Sequence, residues 1–495
     1  MYTLGIDIGS SSIKVSLFDV DSGKSIASAQ YPDTELKIDA PQPGWAEQDP
    51  EMWWTSFLEA YKRLSSKEAI RPTEILAIGI AYQMHGLVTV DESGEVIRPS
   101  IIWCDSRAVE AGGMILQQLG EVYAHNMLLN SPGNFTAAKL KWIERHEPKS
   151  FERIHRFMLP GDYVAFRLTG EITTTASGLS EGIFWNFAQH SVSTEVLDAI
   201  NGGAAMLPTT VDTFHDSLHV NSSVAKDLGL KSGIPVSYRA GDQPNNAFSL
   251  NVLNPGEVAA TAGTSGVIYA VTDQNIGDVQ SRINTFLHVN GTAEAKRNGV
   301  LLCINGTGIL NSWLRKLAGS ENTSYEQMNA EAARAPIGSE GLMLFPFGNG
   351  AERILQNRLL HGSMHGLDFN RHGRSHVFRA AQEGIVFALN YGFEVLKELG
   401  LPGKVIRAGH ANMFLSSVFR EAFVNTTGLP LELYNTDGAE GAARGAAIGA
   451  KLIDEKDLFK GLEIKEMIAP EQSKTEAYSE NYGRWKLQLE KYLTQ

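Results

Sequence analysis

The sequence has few cysteines and no long apolar segment, and these absences exclude several classes of protein. Cys104 and Cys303 are its 2 cysteines, so a disulfide-stapled secreted domain is excluded. Both lie inside apolar runs, which predicts buried free thiols and a reducing compartment. No apolar run approaches the roughly 18 residues of a membrane-spanning helix. Met1 leads into a strand-like segment and not into a secretory leader, so we expect a cytoplasmic protein.

Positive charge is also in short supply. Lys and Arg number 43 against 56 Asp and Glu, a formal net charge of −13. Without a basic stripe, binding to nucleic acid or to an anionic membrane is not expected. The 43% hydrophobic and 20% charged residues are typical of a globular protein. At about 100–200 residues per domain, a chain of 495 residues predicts two or three domains.

The common nucleotide-binding motifs fail when they are tested. Gly23-Lys24-Ser25 resembles the end of a Walker A loop, but Phe18 stands where its earlier glycine is required. Gly306-Thr-Gly308 and Gly348-Asn-Gly350 lack the third glycine of a dinucleotide fingerprint. Neither a P-loop nor a Rossmann site is therefore supported.

One segment, residues 178–182, matches the GxSxG pattern of serine hydrolases. The polar residues before it do not resemble the buried strand that a nucleophile elbow needs. Because chance matches to so short a pattern are common, we do not expect a hydrolase.

Short β-rich runs alternate with helical patterns along the chain. Strands are predicted at 75–80 and 234–238, and a helix near 107–119. Asp49-Pro50-Glu51 has the composition of an N-cap and an acidic first turn, so a helix should run from Pro50 to about Leu64. The alternation predicts α/β layers with helices packed on sheets.

A weak internal repeat suggests two domains of one plan. Leu4 to Phe18 is an apolar strand, a Gly/Ser turn and a second alternating strand, and Glu257 to Tyr269 repeats this order. We therefore predict two β-hairpins, one opening each half of the chain. The turn signal Asn254-Pro255-Gly256 places a boundary near 245–255.

The two hairpin turns are candidate phosphate sites. Gly9 allows a close backbone approach, Ser10, Ser11 and Ser12 offer hydroxyl and N–H donors, and Lys14 offers a cation. Asp7 stands beside the turn, where a carboxylate could hold Mg²⁺ through water. The second turn, Gly263-Thr264-Ser265-Gly266, supplies another set of donors. Taken singly, each could equally be an ordinary hairpin turn, but phosphoryl transfer needs donors on both sides of the moving group.

Two further candidates follow predicted strands. Asp242 opens a predicted helix from Gln243 to Leu250, so it is either a simple N-cap or a carboxylate placed to accept a hydroxyl proton. Met84-His85 follows the strand that ends near Gln83. A histidine there is either structural or a ligand contact.

Several ordered motifs together resemble the FGGY family of carbohydrate kinases over nearly the whole chain. They are Asp7 to Lys14, Gly44 to Pro50, Gln83-Met84-His85-Gly86, Ile102 to Arg107, Phe135 to Trp142, Asp162-Tyr163 with Leu168 to Gly170, Gly241-Asp242 and Gly263 to Gly266.

The resemblance implies an α/β fold of two actin-like, ribonuclease-H-type domains facing a central ATP and sugar cleft. It places a sugar-binding N-terminal domain at 1–247 and a nucleotide-binding C-terminal domain at 248–495. The implied reaction is ATP- and Mg²⁺-dependent phosphorylation of a small ketose at its terminal hydroxyl, D-xylulose foremost. The partners implied are the sugar and ATP, without nucleic acid or membrane, and a homodimer is left open.

Site roles are also implied, residue by residue. Asp242 matches the family's catalytic base, and Asp7 is the candidate for Mg²⁺. Met84, His85, Asp242 and Gln243 match the sugar contacts. The ATP contacts implied are Ser10, Ser11, Ser12, Lys14, Gly263, Thr264, Gly308, Gly409 and Asn412.

Departures from the family pattern leave the sugar open. Glycerol-specific members carry Arg-Glu at the positions of Met84 and His85, which disfavours glycerol. The Asp242-Gln243 pair, however, resembles theirs more than the Asp-Asn of xylulose-specific members. Ala408-Gly409-His410 replaces a triple glycine on the nucleotide side.

The alternatives are sedoheptulose, ribulose, gluconate or glycerol as substrate, or a non-catalytic actin-like sensor of sugar or nucleotide. A sensor does not need a general base, and this chain keeps Asp242.

Overall fold

The computed structural model describes residues 1–67, 70–318 and 323–494. The strands are β1 Tyr2–Ile8, β2 Ile13–Asp19, β3 Lys24–Tyr31, β4 Glu47–Gln48, β5 Ile75–Tyr82, β6 Val88–Val90, β7 Ser100–Ile101, β8 Arg156–Met158, β9 Thr173–Thr175, β10 Trp185–Asn186, β11 Ser191–Val192, β12 Thr209–Val211, β13 Val236–Gly241, β14 Glu257–Ala262, β15 Gly266–Thr272, β16 Asn284–Leu287, β17 Asn298–Ile304, β18 Met343–Phe347, β19 His361–His365, β20 Val405–Gly409, β21 Leu431–Tyr434 and β22 Ile464–Ile468.

The α-helices are α1 Pro50–Ser65, α2 Val109–Leu119, α3 Glu121–Tyr123, α4 Thr136–His146, α5 Pro148–Phe151, α6 Pro160–Thr169, α7 Ala176–Glu181, α8 Thr194–Asp198, α9 Ser222–Asp227, α10 Asp242–Ser249, α11 Gly308–Ala318, α12 Tyr325–Ala332, α13 Arg374–Glu398, α14 Ser417–Thr427, α15 Gly438–Gly449 and α16 Gln472–Thr494. Short 3₁₀ or π turns lie at Pro72–Glu74, Ala124–Leu128, Gly203–Met206, Ser339–Gly341, Arg353–Leu355, Asn412–Leu415 and Glu455–Asp457.

The chain forms two compact units that are discontinuous in sequence. The first comprises Met1–Asn251, Phe286–Asn298 and Thr436–Leu462, and the second comprises Val252–Thr285, Gly299–Asn435 and Glu463–Gln495. The first unit thus takes in segments from beyond 248, because α15 packs on β1 and β5. The boundary between residues 247 and 248 stays a prediction.

The first unit is built on a five-stranded sheet in the order β13-β5-β1-β2-β3. β1, β2 and β3 pair antiparallel, whereas β1, β5 and β13 are parallel. Apolar side chains of β1, including Leu4, Ile6 and Ile8, share a buried cluster with Trp53 and Phe57 of α1. Strands with helices on both faces are buried on both, which explains why β1 is buried along most of its length.

Helix α15 covers the other face of this sheet at very short range. A Cβ on Gly5 of β1 would lie 1.8 Å from the Ala439 carbonyl oxygen, and one on Gly79 of β5 would lie 2.0 Å from that of Ala442. The Thr3 hydroxyl also donates to the Ala443 carbonyl oxygen at 2.7 Å. Glycine in the strands and alanine and glycine in the helix permit this approach.

The larger sheet repeats the plan in the order β16-β17-β15-β14-β20-β21-β22, and its central strands β15, β14, β20 and β21 lie in the second unit. β14 pairs antiparallel with β15 and parallel with β20, which is parallel to β21. Both predicted hairpins are therefore confirmed, as is the repetition of one plan.

Local predictions also agree with the structure. α1 begins at Pro50, and the Asp49 carboxylate accepts from the Glu51 N–H as its N-cap. β5 and α2 match their predicted positions, and β13 runs three residues beyond the predicted strand, to Gly241.

The cysteine prediction is half right. Both thiols are free, but Cys104 is exposed and Cys303 is half-buried. The run that carries Cys104 ends a short strand and turns outward, so its apolar composition does not bury the thiol. Among the described residues, no helix is both long and apolar enough to cross a bilayer.

Candidate active site

The first unit gathers its candidate residues at one edge of the sheet. Three parallel strands end level with one another, since Tyr82 of β5 is in register with both Ile8 of β1 and Gly241 of β13. Carboxyl ends of parallel strands meet at one sheet edge, where open α/β sheets bind their ligands. Asp7, the turn after Tyr82 and Asp242 therefore come to the same edge.

Asp242 is not the N-cap of α10, although that would be its position in a purely structural role. Gly241 occupies the N-cap position, and Asp242 is the first residue of α10. Burial, followed by the negative charge of Asp7, raises the pKa of Asp242 to about 7, although hydrogen bonds from Gln243 oppose the shift. A carboxylate with a pKa near 7 is well matched to accepting a proton at neutral pH.

Asp7 lies in a similarly negative environment. Burial and then Asp437 raise its pKa to about 6, whereas Lys14, its register partner on β2, lowers it. A Cβ on Gly438 would lie 2.4 Å from Asp7 Oδ2, so the start of α15 packs directly on this carboxylate.

These acidic residues fit the magnesium ion that the prediction requires. Asp7 raises the cost of ionising Asp242, Asp437 raises that of Asp7, and a dication would offset such repulsion. Within the described ranges, no three His, Cys, Asp or Glu side chains form a cation cage. Mg²⁺ does not need such a cage, because it is usually bound by one or two carboxylates together with waters and phosphate oxygens.

The turn between β1 and β2 is held by its neighbours. The Gly9 N–H donates to the Ser12 carbonyl oxygen at 3.1 Å, and Gln48 Nε2 donates to that of Ser10 at 2.7 Å. The indole of Trp103, 50% exposed, donates to Ser10 Oγ at 3.3 Å. Ser11 is exposed and Ser12 is half-buried, so the turn presents hydroxyls on a fixed backbone.

His85 occupies a constrained position just after β5. Its φ is 64°, in the left-handed region that non-glycine residues rarely adopt. Its Nδ1 lies 3.0 Å from the Glu181 carbonyl oxygen, which can only accept, so this nitrogen carries the proton. The ring also contacts Phe135 and Phe286, with centroids 4.7 and 5.4 Å away.

Met84 is 4% exposed and packs against the backbone at Gly241, where a Cβ would lie 2.6 Å from Met84 Cγ. The structure therefore brings Met84 beside the start of α10. Gln243 is half-buried and follows Asp242 in the first turn of that helix.

Two buried ionisable residues of this region escaped the sequence analysis. Lys139 is 0% exposed, and burial lowers its pKa to about 7. Glu181 is 1% exposed, and burial raises its pKa well above the usual range, with Asp242 among the charges that raise it further. Lys139 lies in the motif Phe135 to Trp142, but lysines on helices are usually solvated, so no local signal predicted that its side chain is buried. Glu181 lay inside the rejected GxSxG segment.

That segment is structural, as predicted. The Ser180 hydroxyl is buried, donates to the Ser177 carbonyl oxygen at 2.7 Å and accepts from the Leu287 N–H at 2.9 Å. A hydroxyl engaged in this way is not a presented nucleophile.

The second unit has its own cavity, of about 870 Å³. Its wall includes four of the predicted ATP contacts, namely Gly263, Thr264, Gly308 and Asn412. Apolar side chains of Ile309, Tyr325, Met413 and Leu415 line it together with polar Asn311, Ser312, Asn329 and Arg420. An apolar wall with a few polar groups is typical of a small-molecule site of this size.

Helix α11 starts against the second hairpin turn. The Gly308 N–H donates to the Gly263 carbonyl oxygen at 2.9 Å, and a Cβ on Gly308 would lie 2.3 Å from that oxygen. Glycine is therefore needed for this approach. The first N–H groups of α11 bind the turn itself, since the Ile309 N–H also donates to the Thr264 carbonyl oxygen at 3.2 Å, so the turn is the candidate phosphate contact.

The altered turn after β20 contributes only in part to this cavity. Asn412, with a φ of 53°, and Met413 lie in the wall. Gly409 ends β20, and the next residue, His410, continues the strand by donating its N–H to the Tyr434 carbonyl oxygen at 2.7 Å. Among the described residues of the wall, neither Gly409 nor His410 is present.

The hairpin-and-parallel-strand unit that occurs in both sheets is typical of the actin-like class of two-domain α/β proteins. The chain belongs to the FGGY family of carbohydrate kinases, whose N-terminal domain matches residues 2–249 and whose C-terminal domain matches 258–452. It is accordingly a kinase that uses ATP with Mg²⁺.

Relatives of known activity cover most of the chain. A xylulose kinase of Staphylococcus epidermidis is 31% identical over 84% of this chain and 79% of its own length. One from Bacillus subtilis is 30% identical over 81% and 78%, and one from Escherichia coli is 29% identical over 96% of each chain.

Solved structures match the whole fold. A Brucella ovis protein named xyloylose kinase is 25% identical, with a TM-score of 0.89 over 99% of this chain and 98% of its own. A gluconate kinase from Lactobacillus acidophilus, 21% identical, reaches a TM-score of 0.87 over 99% and 98%. The second match concerns the fold alone, and it indicates that this fold does not by itself select the sugar.

Proposed function

We propose that this chain transfers the γ-phosphoryl group of ATP to the terminal hydroxyl of D-xylulose, giving D-xylulose 5-phosphate, with Asp242 as general base. The observation that carries the proposal is the position of Asp242 at the sheet edge, with a pKa raised to about 7. The names of the relatives favour xylulose, and Met84-His85 in place of Arg-Glu disfavours glycerol.

In the proposed mechanism, Asp242 accepts the proton of the attacking hydroxyl, a role typically worth ~10²–10⁴-fold in rate. His85, whose ring is oriented by the hydrogen bond between Nδ1 and the Glu181 carbonyl oxygen, is the proposed contact for a sugar hydroxyl. Met84 and Gln243 are the further sugar contacts proposed.

In the first unit, the proposed phosphate contacts are the serines of the first turn and Lys14. In the second unit they are the N–H groups of Gly263 and Thr264, and Gly308 is a proposed contact beside them whose own N–H donates to the Gly263 carbonyl oxygen. The cavity wall of the second unit, including Asn412, is proposed to hold the nucleoside, and Gly409 remains a proposed contact. Asp7 would hold Mg²⁺, which when bound neutralises charge on the phosphates.

The proposal is tested by sugar-dependent ADP release across D-xylulose, ribulose, sedoheptulose, gluconate and glycerol. We expect the highest kcat/KM with D-xylulose. Asp242→Asn should bind both ligands but lose roughly 10²-fold or more in kcat. Asp227→Asn, at an exposed carboxylate of the same unit, is the matched control.

A higher kcat/KM with another sugar would replace xylulose as the proposed substrate, but it would not contradict the kinase activity. Sugar binding without any ADP release would support the sensor alternative. A cytoplasmic location and a homodimer remain predictions, which fractionation and light scattering would check.

A further inference from the structure

Lys139 carries a buried amine that makes no short ion pair. It projects from α4 and is 0% exposed, and across residues 1–67, 70–318 and 323–494 no carboxylate oxygen lies within 4.0 Å of its ammonium group. Asp105 and Glu181 act on it only at longer range. Burying an amine without a close charged partner is costly, which is why burial lowers the pKa of Lys139 to about 7, so packing alone does not explain a lysine here.

Its amine instead joins the turn after β5, which carries the proposed sugar contact His85, to the turn after β7. Nζ donates to the His85 carbonyl oxygen at 2.7 Å and to that of Ile102 at 3.0 Å. The first oxygen belongs to the turn after β5. The second lies immediately before Trp103, whose indole donates to Ser10 in the first phosphate turn.

The first of these turns needs such support. A non-glycine residue with a positive φ persists only where its surroundings over-determine it, and the φ of His85 is 64°. Lys139 binds its carbonyl oxygen, Glu181 binds its Nδ1, and the Phe135 ring, just before α4, packs edge-on against the imidazole. The start of α4 thus holds both the backbone and the ring of His85.

We propose that Lys139 is a positioning residue for the sugar, which keeps His85 in its left-handed conformation and ties that turn to the one bearing Trp103. This inference rests on the proposed function, since it takes His85 as a sugar contact. Lys139 touches neither substrate. Its effect reaches the sugar through His85, where a misplacement of about 1 Å can cost ~10²-fold.

The test is a double-mutant cycle in the full-length protein, with the substrate on which the wild type is most active. Lys139→Met should raise the sugar KM by roughly 10–100-fold and leave the ATP KM within about two-fold. In the His85→Ala background, the same change should raise the sugar KM by less than about two-fold, because the contact it positions is gone. Lys139→Gln, an uncharged donor, should recover part of the loss.

Lys141→Met is the matched control. It lies on the same helix, and its ammonium group pairs with Glu144 at 2.7 Å, so we expect sugar and ATP constants near those of the wild type. If Lys139→Met does not yield folded protein, as judged by circular dichroism, the cycle is run with Lys139→Gln.

An unchanged sugar KM, an equal rise in the ATP KM, or full additivity with His85→Ala would each overturn the inference. Failure of the proposed function would look different, because the wild type itself would then release no ADP in response to any ketose.

Discussion

Asp242 combines two requirements that oppose each other at the scale of a single residue. To accept a proton it must be ionised, yet burial and Asp7 both disfavour its charged form. The energy that favours proton uptake is therefore also a local destabilisation of the fold at neutral pH, a common trade-off at active sites.

This trade-off predicts a pH-dependent gain in stability for Asp242→Asn. The folded pKa, about 7, lies above the unfolded value of 3.8, so the folded chain binds the proton more tightly. The wild type then loses stability as the pH rises from about 4 to about 7. Asparagine does not titrate, so the variant should be more stable at pH 8, by at most about 4 kcal/mol, and nearly equal to the wild type near pH 4.

Urea unfolding at several pH values without Mg²⁺ measures the difference. Asp227→Asn, at an exposed carboxylate, should show no such trend. A gain that is equal at pH 5 and pH 8 would contradict the raised pKa.

His85 offers a second residue-scale prediction, on substrate binding. If its ring accepts a hydrogen bond from the sugar, His85→Ala removes one buried bond worth about 1–3 kcal/mol. The sugar KM should then rise by ~5–100-fold and the ATP KM should not change. Steady-state kinetics with each substrate varied in turn decides this, and a rise in the ATP KM alone would remove His85 from the sugar site.

At the scale of elements, the second unit depends on how closely α11 approaches the β14–β15 turn. Gly308→Ala places a methyl group 2.3 Å from the Gly263 carbonyl oxygen, so the helix must move. Such overpacking costs typically about 1–3 kcal/mol. Because both elements line the cavity proposed to hold the nucleoside, we expect the ATP KM to rise by ~5–100-fold, with the sugar KM little changed.

Gly483→Ala on α16 is the control for this change, since a Cβ there meets nothing within 4 Å. Alanine in a helix should slightly stabilise the protein and leave both constants as they are. If Gly308→Ala binds ATP as tightly as the wild type, the turn is not a phosphate contact.

At the scale of the whole molecule, folding depends on segments that are distant in sequence, because neither compact unit is a continuous piece of chain. Helix α15, far along the sequence, closes one face of the first sheet so tightly that a Cβ at position 5 or 79 would lie only 1.8 or 2.0 Å from one of its carbonyl oxygens. We therefore expect residues 1–251 alone to lack a cooperative thermal transition and to bind a hydrophobic dye.

Joining 436–462 to that fragment through a flexible linker should restore cooperative unfolding, as measured by calorimetry. The full chain is the reference. If residues 1–251 melt cooperatively by themselves near the temperature of the full chain, α15 is dispensable for this sheet.

Much of this architecture could be predicted, because it rests on signals within a few residues. The N-cap and Pro50 define where α1 begins, and alternation around small turns defines both hairpins. The place of Asp242 between a strand and a helix is likewise a local signal, although its role as base is implied only by the family resemblance. Each of these depends on backbone preferences that neighbouring residues express locally.

The remaining features depend on residues distant in the chain. Cys104 was expected to be buried from its apolar neighbours, but the turn after β7 directs it outward. Lys139 and Glu181 lie 42 residues apart in sequence, 181 − 139, and gain their significance only beside His85. The sequence by itself determined the elements, the repeat and the candidate residues. Tertiary structure alone decided which charges are buried together, because desolvation depends on packing from every side and not on neighbours along the chain.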